Sequence, residues 1–116
     1  MEFIMTSQSP QVLDDLVKNL DSKMFKALTD PTRTQILKFL MIHGRSDIST
    51  IAANLPQDRS VISRHLTVLA EAGLLVAEKE TRHRFYTINC GTFLQEFETI
   101  VANLKTCIAE CCPPAI

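Results

Sequence analysis

The stretch Ser60-Val-Ile-Ser-Arg-His-Leu-Thr-Val-Leu-Ala-Glu-Ala-Gly-Leu-Leu75, followed by the charged run from Val76 to Asn89, decides the fold of this chain. Stepped at about 100° per residue, Ile62, Leu66 and Leu69 fall on one side of a helix, while Ser60, Ser63, Arg64 and Thr67 fall on the other. One face suits a core and the other suits hydrogen bonding. Short hydroxyl side chains let a helix lie close in a DNA major groove, and an arginine among them reaches guanine O6/N7 or a phosphate. The competing reading is an ordinary surface helix, but serine and threonine are mediocre helix formers and weaken an exposed stripe unless they are used. Groove contact is therefore expected from Ser60, Ser63, Arg64, His65 and Thr67.

Upstream, Asp47 to Leu55 carries Ile48, Ile51, Ala52 and Leu55 at helical spacing and ends in Pro56-Gln57-Asp58, which predicts the first helix and turn of a helix-turn-helix. Asp58 is placed to cap the second helix through its carboxylate, and Gly73 to close it before Leu74 and Leu75 return to the core. Two strand-like runs follow, Leu74 to Glu80 and Arg84 to Ile88, joined across Thr81-Arg82-His83. A tip carrying Arg82, His83 and Arg84 suits phosphate or minor-groove contact, against the alternative of a solvated turn. The fold class expected is mainly α with a small β-hairpin, a winged helix-turn-helix.

Two motifs make a family resemblance specific. Ala27-Leu-Thr-Asp-Pro-Thr-Arg-Thr-Gln-Ile-Leu37, then Ser63-Arg-His-Leu-Thr-Val-Leu-Ala-Glu-Ala-Gly-Leu-Leu75 and a wing ending in Tyr86, resemble the ArsR/SmtB family of winged-helix repressors over roughly residues 20 to 105. The resemblance implies a homodimer that holds double-stranded operator DNA until an effector releases it, commonly a metal or metalloid ion bound by cysteine or histidine. It also implies that the last helix, with the first, forms the dimer interface.

The 116 residues, 46% of them hydrophobic, support one compact domain with a modest core. Residues 1–9 are expected to be disordered, 10–112 to form a single winged helix-turn-helix domain with a dimerisation helix at about 92–111, and 113–116 to be a tail. No apolar run approaches the ~20 residues of a membrane span, and Met1-Glu-Phe-Ile-Met5 lacks the marks of a signal peptide. A cytoplasmic protein without a membrane partner is expected. The formal net charge of −1 argues against a nonspecific nucleic-acid binder. It leaves room for a local basic face, built from Arg59, Arg64, Arg82 and Arg84. Earlier in the chain, Pro10 to Asn19 reads as a helix that continues or kinks towards Phe25, Ala27 and Leu28. Asp30-Pro31 starts the next one as cap and first helical residue, Ile36, Leu37, Phe39 and Leu40 supply its core contacts, and His43-Gly44 ends it. Structural use is the expected role of Arg33.

Thr92 to Cys111 reads as the last helix, with Phe93, Phe97, Ile100, Val101, Leu104 and Ile108 gathered on one side. So long a stripe wants a partner helix; the alternative is that it covers the core of its own subunit. Of four cysteines, three lie in the final ten residues. Cys107 and Cys111 share a face, and Pro113 disfavours helix at Cys112, which would let it swing back toward them. Three thiolates favour a soft ion, and trivalent arsenic or antimony fits that count as the effector; nothing suggests a cofactor needed for folding. Another thiophilic metal, or a thiol redox or persulfide signal through the same cysteines, is the alternative. Zinc or cadmium would want a fourth ligand, for which Cys90 is within reach only across a dimer. The helix Ser49 to Leu55 lacks the cysteine pair of the family's best-known arsenic and cadmium sensors. The Asp/His ligands of its zinc sensors are also absent, with Asn89 to Gly91 and Asn103 near their places. The competing view treats these cysteines as small buried hydrophobes.

An enzyme is not expected. Cys107-Ile-Ala-Glu-Cys111 is not a C-x-x-C motif, and no histidine lies nearby to lower a thiol pKa. A winged-helix module that binds protein would carry an acidic or apolar reading face, which Ser60, Ser63, Arg64 and Thr67 do not make.

Overall fold

The computed structural model describes residues 11–111, the last of these by its backbone alone. The elements run α1 (Gln11–Leu20), α2 (Lys23–Ala27), α3 (Pro31–His43), β1 (Ser46–Asp47), α4 (Ile48–Ala53), α5 (Arg59–Glu71), β2 (Leu75–Glu80), β3 (His83–Ile88) and α6 (Cys90–Cys111). The expected disordered start and tail, and Cys112, lie outside the described residues. The architecture is the mainly helical winged helix-turn-helix anticipated from the sequence.

Local chemistry sets the boundaries. Asp30 accepts from the backbone N–H groups of Thr32 and Arg33 at 2.8 and 3.1 Å, capping α3 with Pro31 behind it. Those two bonds, the Arg33 one foremost, hold the Asp30 carboxyl below the usual aspartate range. Asp47 caps α4 in the same way, accepting from Thr50 N–H at 2.9 Å. The segment before α3 is two helices rather than one kinked helix, because Ser22 caps α2 afresh by accepting from Phe25 N–H at 3.1 Å.

Helix α5 is held by its inner face. Ile62, Leu66 and Leu69 are fully buried with Ile36, Ile51 and Leu74, each burial contributing on the order of 1.5–3 kcal/mol. At its end, Leu74 N–H donates to Leu69 O at 3.0 Å and Gly73 N–H to Ala70 O at 3.1 Å, a paired closure that requires the left-handed φ of +87° at Gly73. A Cβ there would meet only ordinary contacts at 3.8 Å, so glycine is needed for its backbone and not for space. The closure turns the chain so that Leu74 and Leu75 enter the core and β2 leaves in the direction of the wing.

The sheet is antiparallel in the order β1-β3-β2, with Ala77 opposite Tyr86 and Glu80 opposite His83. His83 is thus the first residue of β3, and the turn is Thr81-Arg82, one residue shorter than the sequence suggested. The two-residue strand β1, unforeseen in the sequence, ties Ser46 to Tyr86 and Asp47 to Phe85. This anchors the wing to the helix-turn-helix. Arg45 adds to the anchor, lying 4.0 Å from the centre of the Phe85 ring and facing Glu78 and Glu80 at 3.5 and 3.4 Å.

Helix α6 starts at Cys90, two residues earlier than expected, and at 22 residues it spans about 33 Å. It packs chiefly against α1, and the pair extends the molecule to 58 × 27 × 23 Å. The apolar stripe of α6 is divided between an inward side and an exposed one. Phe97, Ile100 and Cys107 turn inward, whereas Leu94, Val101, Leu104 and Ile108 are exposed, as are Val17 and Leu20 of α1. Asn103 Nδ2 donates to Asn19 Oδ1 at 2.7 Å, a polar pin that fixes how α1 and α6 align.

Candidate nucleic-acid interface

The outer face of α5 carries Ser60, Arg64 and Thr67 exposed and Ser63 half-buried. Among the described residues, the Arg64 guanidinium has no intramolecular hydrogen bond or ion pair, so all five of its donors are available. The Thr67 hydroxyl donates to Ser63 O at 3.1 Å. Its donor is therefore used within the helix, and it offers an outside partner lone pairs and a methyl group.

His65 stands apart from the other expected contacts. It is half-buried, and Arg33 Nη1 lies 3.3 Å from its Nδ1. A guanidinium has no acceptor, so the contact is a hydrogen bond only with Nδ1 bare and the ring proton on Nε2. Arg33 also donates from Nε to Ala27 O at 2.8 Å, the structural role expected of it. Together these bonds tie the end of α2 and the start of α3 to the flank of α5.

The first turn of α5 is more open than the sequence suggested. Asp58 occupies the cap position with extended backbone, but its side chain makes no capping hydrogen bond, so the carboxylate leaves the first N–H groups unclaimed. Arg59 follows, exposed at a helix end where a positive charge is unfavourable. It donates from Nη1 to Ser49 Oγ of α4 at 2.7 Å.

Across from it stands the wing. Arg82, His83 and Arg84 are exposed, and His83 Nδ1 reaches Asp47 Oδ2 at 3.4 Å. Hydrogen bonds from the Thr50 hydroxyl and N–H hold the Asp47 carboxyl below the usual range, and the nearby charges of His83 and Arg59 act in the same direction. Of the expected contacts, the structure thus gathers Ser60, Ser63, Arg64 and Thr67 on one face and Arg82 and Arg84 beside it. It gives His65 and His83 partners within the chain. Arg59, counted in the expected basic face but not singled out as a contact, stands beside this group, and its bond to Ser49 was not foreseen.

The thiols are distributed differently from the basic groups. Cys90 is exposed at the start of α6, and Cys107 is 6% exposed on its inward side. The Cys111 side chain and Cys112 lie outside the described residues. No cluster of three metal-binding side chains occurs among the described residues, and no helix among them is long and apolar enough to cross a membrane.

Residues 30–76 match the model of the bacterial regulatory protein, arsR family. An HTH-type transcriptional regulator of Methanocaldococcus jannaschii is 40% identical over 67 residues, covering 58% of this chain and 75% of that one. The arsenical resistance operon repressor of Escherichia coli is 34% identical over 70 residues, covering 60% of each chain. A homodimeric winged helix-turn-helix DNA-binding domain from Mycobacterium bovis, solved in solution, superposes with a TM-score of 0.56 at 28% identity, over 85% of this chain and 91% of that one.

Proposed function

Because this chain belongs to the ArsR family of bacterial regulatory proteins, we propose that it is a homodimeric repressor that holds operator DNA through α5 and the wing. Capture of a trivalent metalloid, arsenite or antimonite, by the thiolates of Cys107, Cys111 and Cys112 releases the DNA. The observation that carries the DNA-holding part is the division of α5. Its inner residues Ile62, Leu66 and Leu69 are wholly buried, and its outer residues Ser60, Arg64 and Thr67 stand exposed beside a basic wing. A helix so anchored presents its polar face without side-chain rearrangement.

The dimer is supported by the exposed apolar strip of α1 and α6 and by the homodimeric relative from M. bovis. It also follows from DNA geometry, since two reading helices reach half-sites about 34–36 Å apart. The metalloid is supported by an all-thiolate donor set, which suits a soft ion, and by the E. coli relative's role as an arsenical resistance operon repressor. Cys111 lies one helical turn beyond Cys107, a spacing at which residues on a helix are neighbours.

Charge placed in the exposed strip tests the dimer. Val101 and Leu104 are 48% and 43% exposed, so the double variant Val101→Glu, Leu104→Glu should fold as a monomer, with the substitutions altering its own stability by about 0.5 kcal/mol or less each. Losing the second reading helix removes the gain from linked binding, and operator affinity should fall by roughly 10²- to 10⁴-fold. Sedimentation equilibrium with DNA titration reads both effects. A variant that still sediments as a dimer would show that the proposed interface is elsewhere.

A further inference from the structure

Between the start of α5 and the wing lies a cavity of about 100 Å³, lined by Asp47, Ile48, Ser49, Arg59 and the three residues Arg82 to Arg84. Three guanidinium groups border it, from Arg59, Arg82 and Arg84, and among the described residues none of them has a carboxylate partner. The one carboxylate in the lining, Asp47, is already engaged by Thr50 and by His83. Even with Asp47 ionised, the cavity wall carries a surplus of at least two positive charges. The other arginine of the wing region, Arg45, shows the contrast, since Glu78 and Glu80 both face it.

Uncompensated like charges brought around one hollow repel one another and are held there at a cost unless an anion joins them. The open first turn of α5 adds N–H groups and the positive end of the helix dipole to the same region. Arg59 is also held in place: its bond to Ser49 occupies one donor and leaves the remainder of the planar fork free to take a phosphate. His83 faces a different partner, its Nδ1 lying 3.4 Å from Asp47 Oδ2 at the start of α4, which places it as a brace of the wing.

We propose that this cavity seats one phosphodiester of the operator backbone, gripped by Arg59 from α5 and by Arg82 and Arg84 from the wing. The seat lies between the groove that α5 enters and the region under the wing, so it fixes the register of both on the duplex without reading a base. The inference rests on the DNA-holding reading above. It gives Arg59, until now only one member of a basic face, a specific phosphate contact and makes His83 a brace.

The test follows fluorescence anisotropy of wild type, Arg59→Gln and Arg59→Lys on the DNA upstream of the protein's own gene and on an unrelated duplex, across a range of salt. Arg59→Gln should weaken both duplexes by the same factor and reduce the slope of log affinity against log salt by about 0.9 per protomer. Arg59→Lys should keep the slope, and thermal melts that match wild type would confirm that both variants fold. A scan of single neutral methylphosphonate linkages should find one position that weakens wild type and leaves Arg59→Gln indifferent. An unchanged slope, or equal sensitivity of both proteins at every linkage, would overturn the seat. Inorganic phosphate exchanged for chloride at constant ionic strength should compete with the duplex more for wild type than for Arg59→Gln; a wild type weakened by phosphate yet indifferent to every methylphosphonate linkage would assign the cavity to a free anion and overturn the proposal. Wild type failing to prefer its own DNA, with the Arg59 slope change intact, would overturn only the reading of α5.

Discussion

Arg64→Ala should reduce binding to the operator to nearly the level of binding to unrelated DNA. The side chain is exposed on the outer face of α5, and no partner within the described residues competes for its donors. A bidentate arginine–guanine contact is worth roughly 1–3 kcal/mol of discrimination. A dimer makes it twice, so the loss is roughly 2–6 kcal/mol, about 30-fold to 10⁴-fold in affinity. Nonspecific affinity should fall far less, because the backbone contacts proposed for Arg59, Arg82 and Arg84 would remain. Anisotropy with operator and scrambled duplexes separates the two effects. Wild-type affinity in the variant would remove Arg64 from the reading face, and an equal loss on both duplexes would make it a phosphate contact.

The second large effect should appear at the thiols. Cys107 is 6% exposed on the side of α6 that also carries Asn103, which bonds Asn19 of α1. An ion that takes this sulfur has to reach a buried side of α6, the helix that packs chiefly against α1. In the proposed mechanism, metalloid capture there would disturb the helix pair that carries the exposed apolar strip, and a tenfold loss of DNA affinity needs only about 1.4 kcal/mol of difference between the two states. Serine at position 107 would place a hydroxyl in an apolar contact at a cost of about 1–3 kcal/mol, so the informative protein is Cys107→Ala, Cys111→Ser, Cys112→Ser. It should hold the operator within a few-fold of wild type and keep holding it as arsenite is added, while wild type loses at least tenfold. Release of the triple variant by arsenite would place the sensing site elsewhere. Release of wild type by cadmium or by an oxidant but not by arsenite would keep the thiols and change the signal.

The parts of the molecule legible in the sequence are those governed by local rules. The two-faced pattern of α5, the Asp30-Pro31 start of α3 and the Gly73 closure each depend on residues within a turn or two, and each stands where it was expected. What the sequence hid depends on distant partners. Strand β1 is two residues long and exists because β3 offers it an edge. Asp58 has the residue type of a cap, yet its carboxylate makes no cap bond. His65 sits about 140° from Ser60 around the helix, closer to Leu69 than to the outer face. That angle was available in the sequence, but its hydrogen bond to Arg33, thirty-two residues earlier, was not. The terminal stripe was visible as apolar, while its division between α1 and an exposed strip emerges only once α1 is in place.

The proposed function depends on α5 and the wing holding a particular DNA sequence. The most direct measurement is the affinity of reduced wild-type protein for a duplex taken from upstream of its own gene, set against a scrambled duplex of the same composition, at one fixed salt concentration. A repressor built as described should favour its own site by about 10³-fold or more, with two protomers bound. Equal affinity for the two duplexes would mean that α5 and the wing read no sequence there.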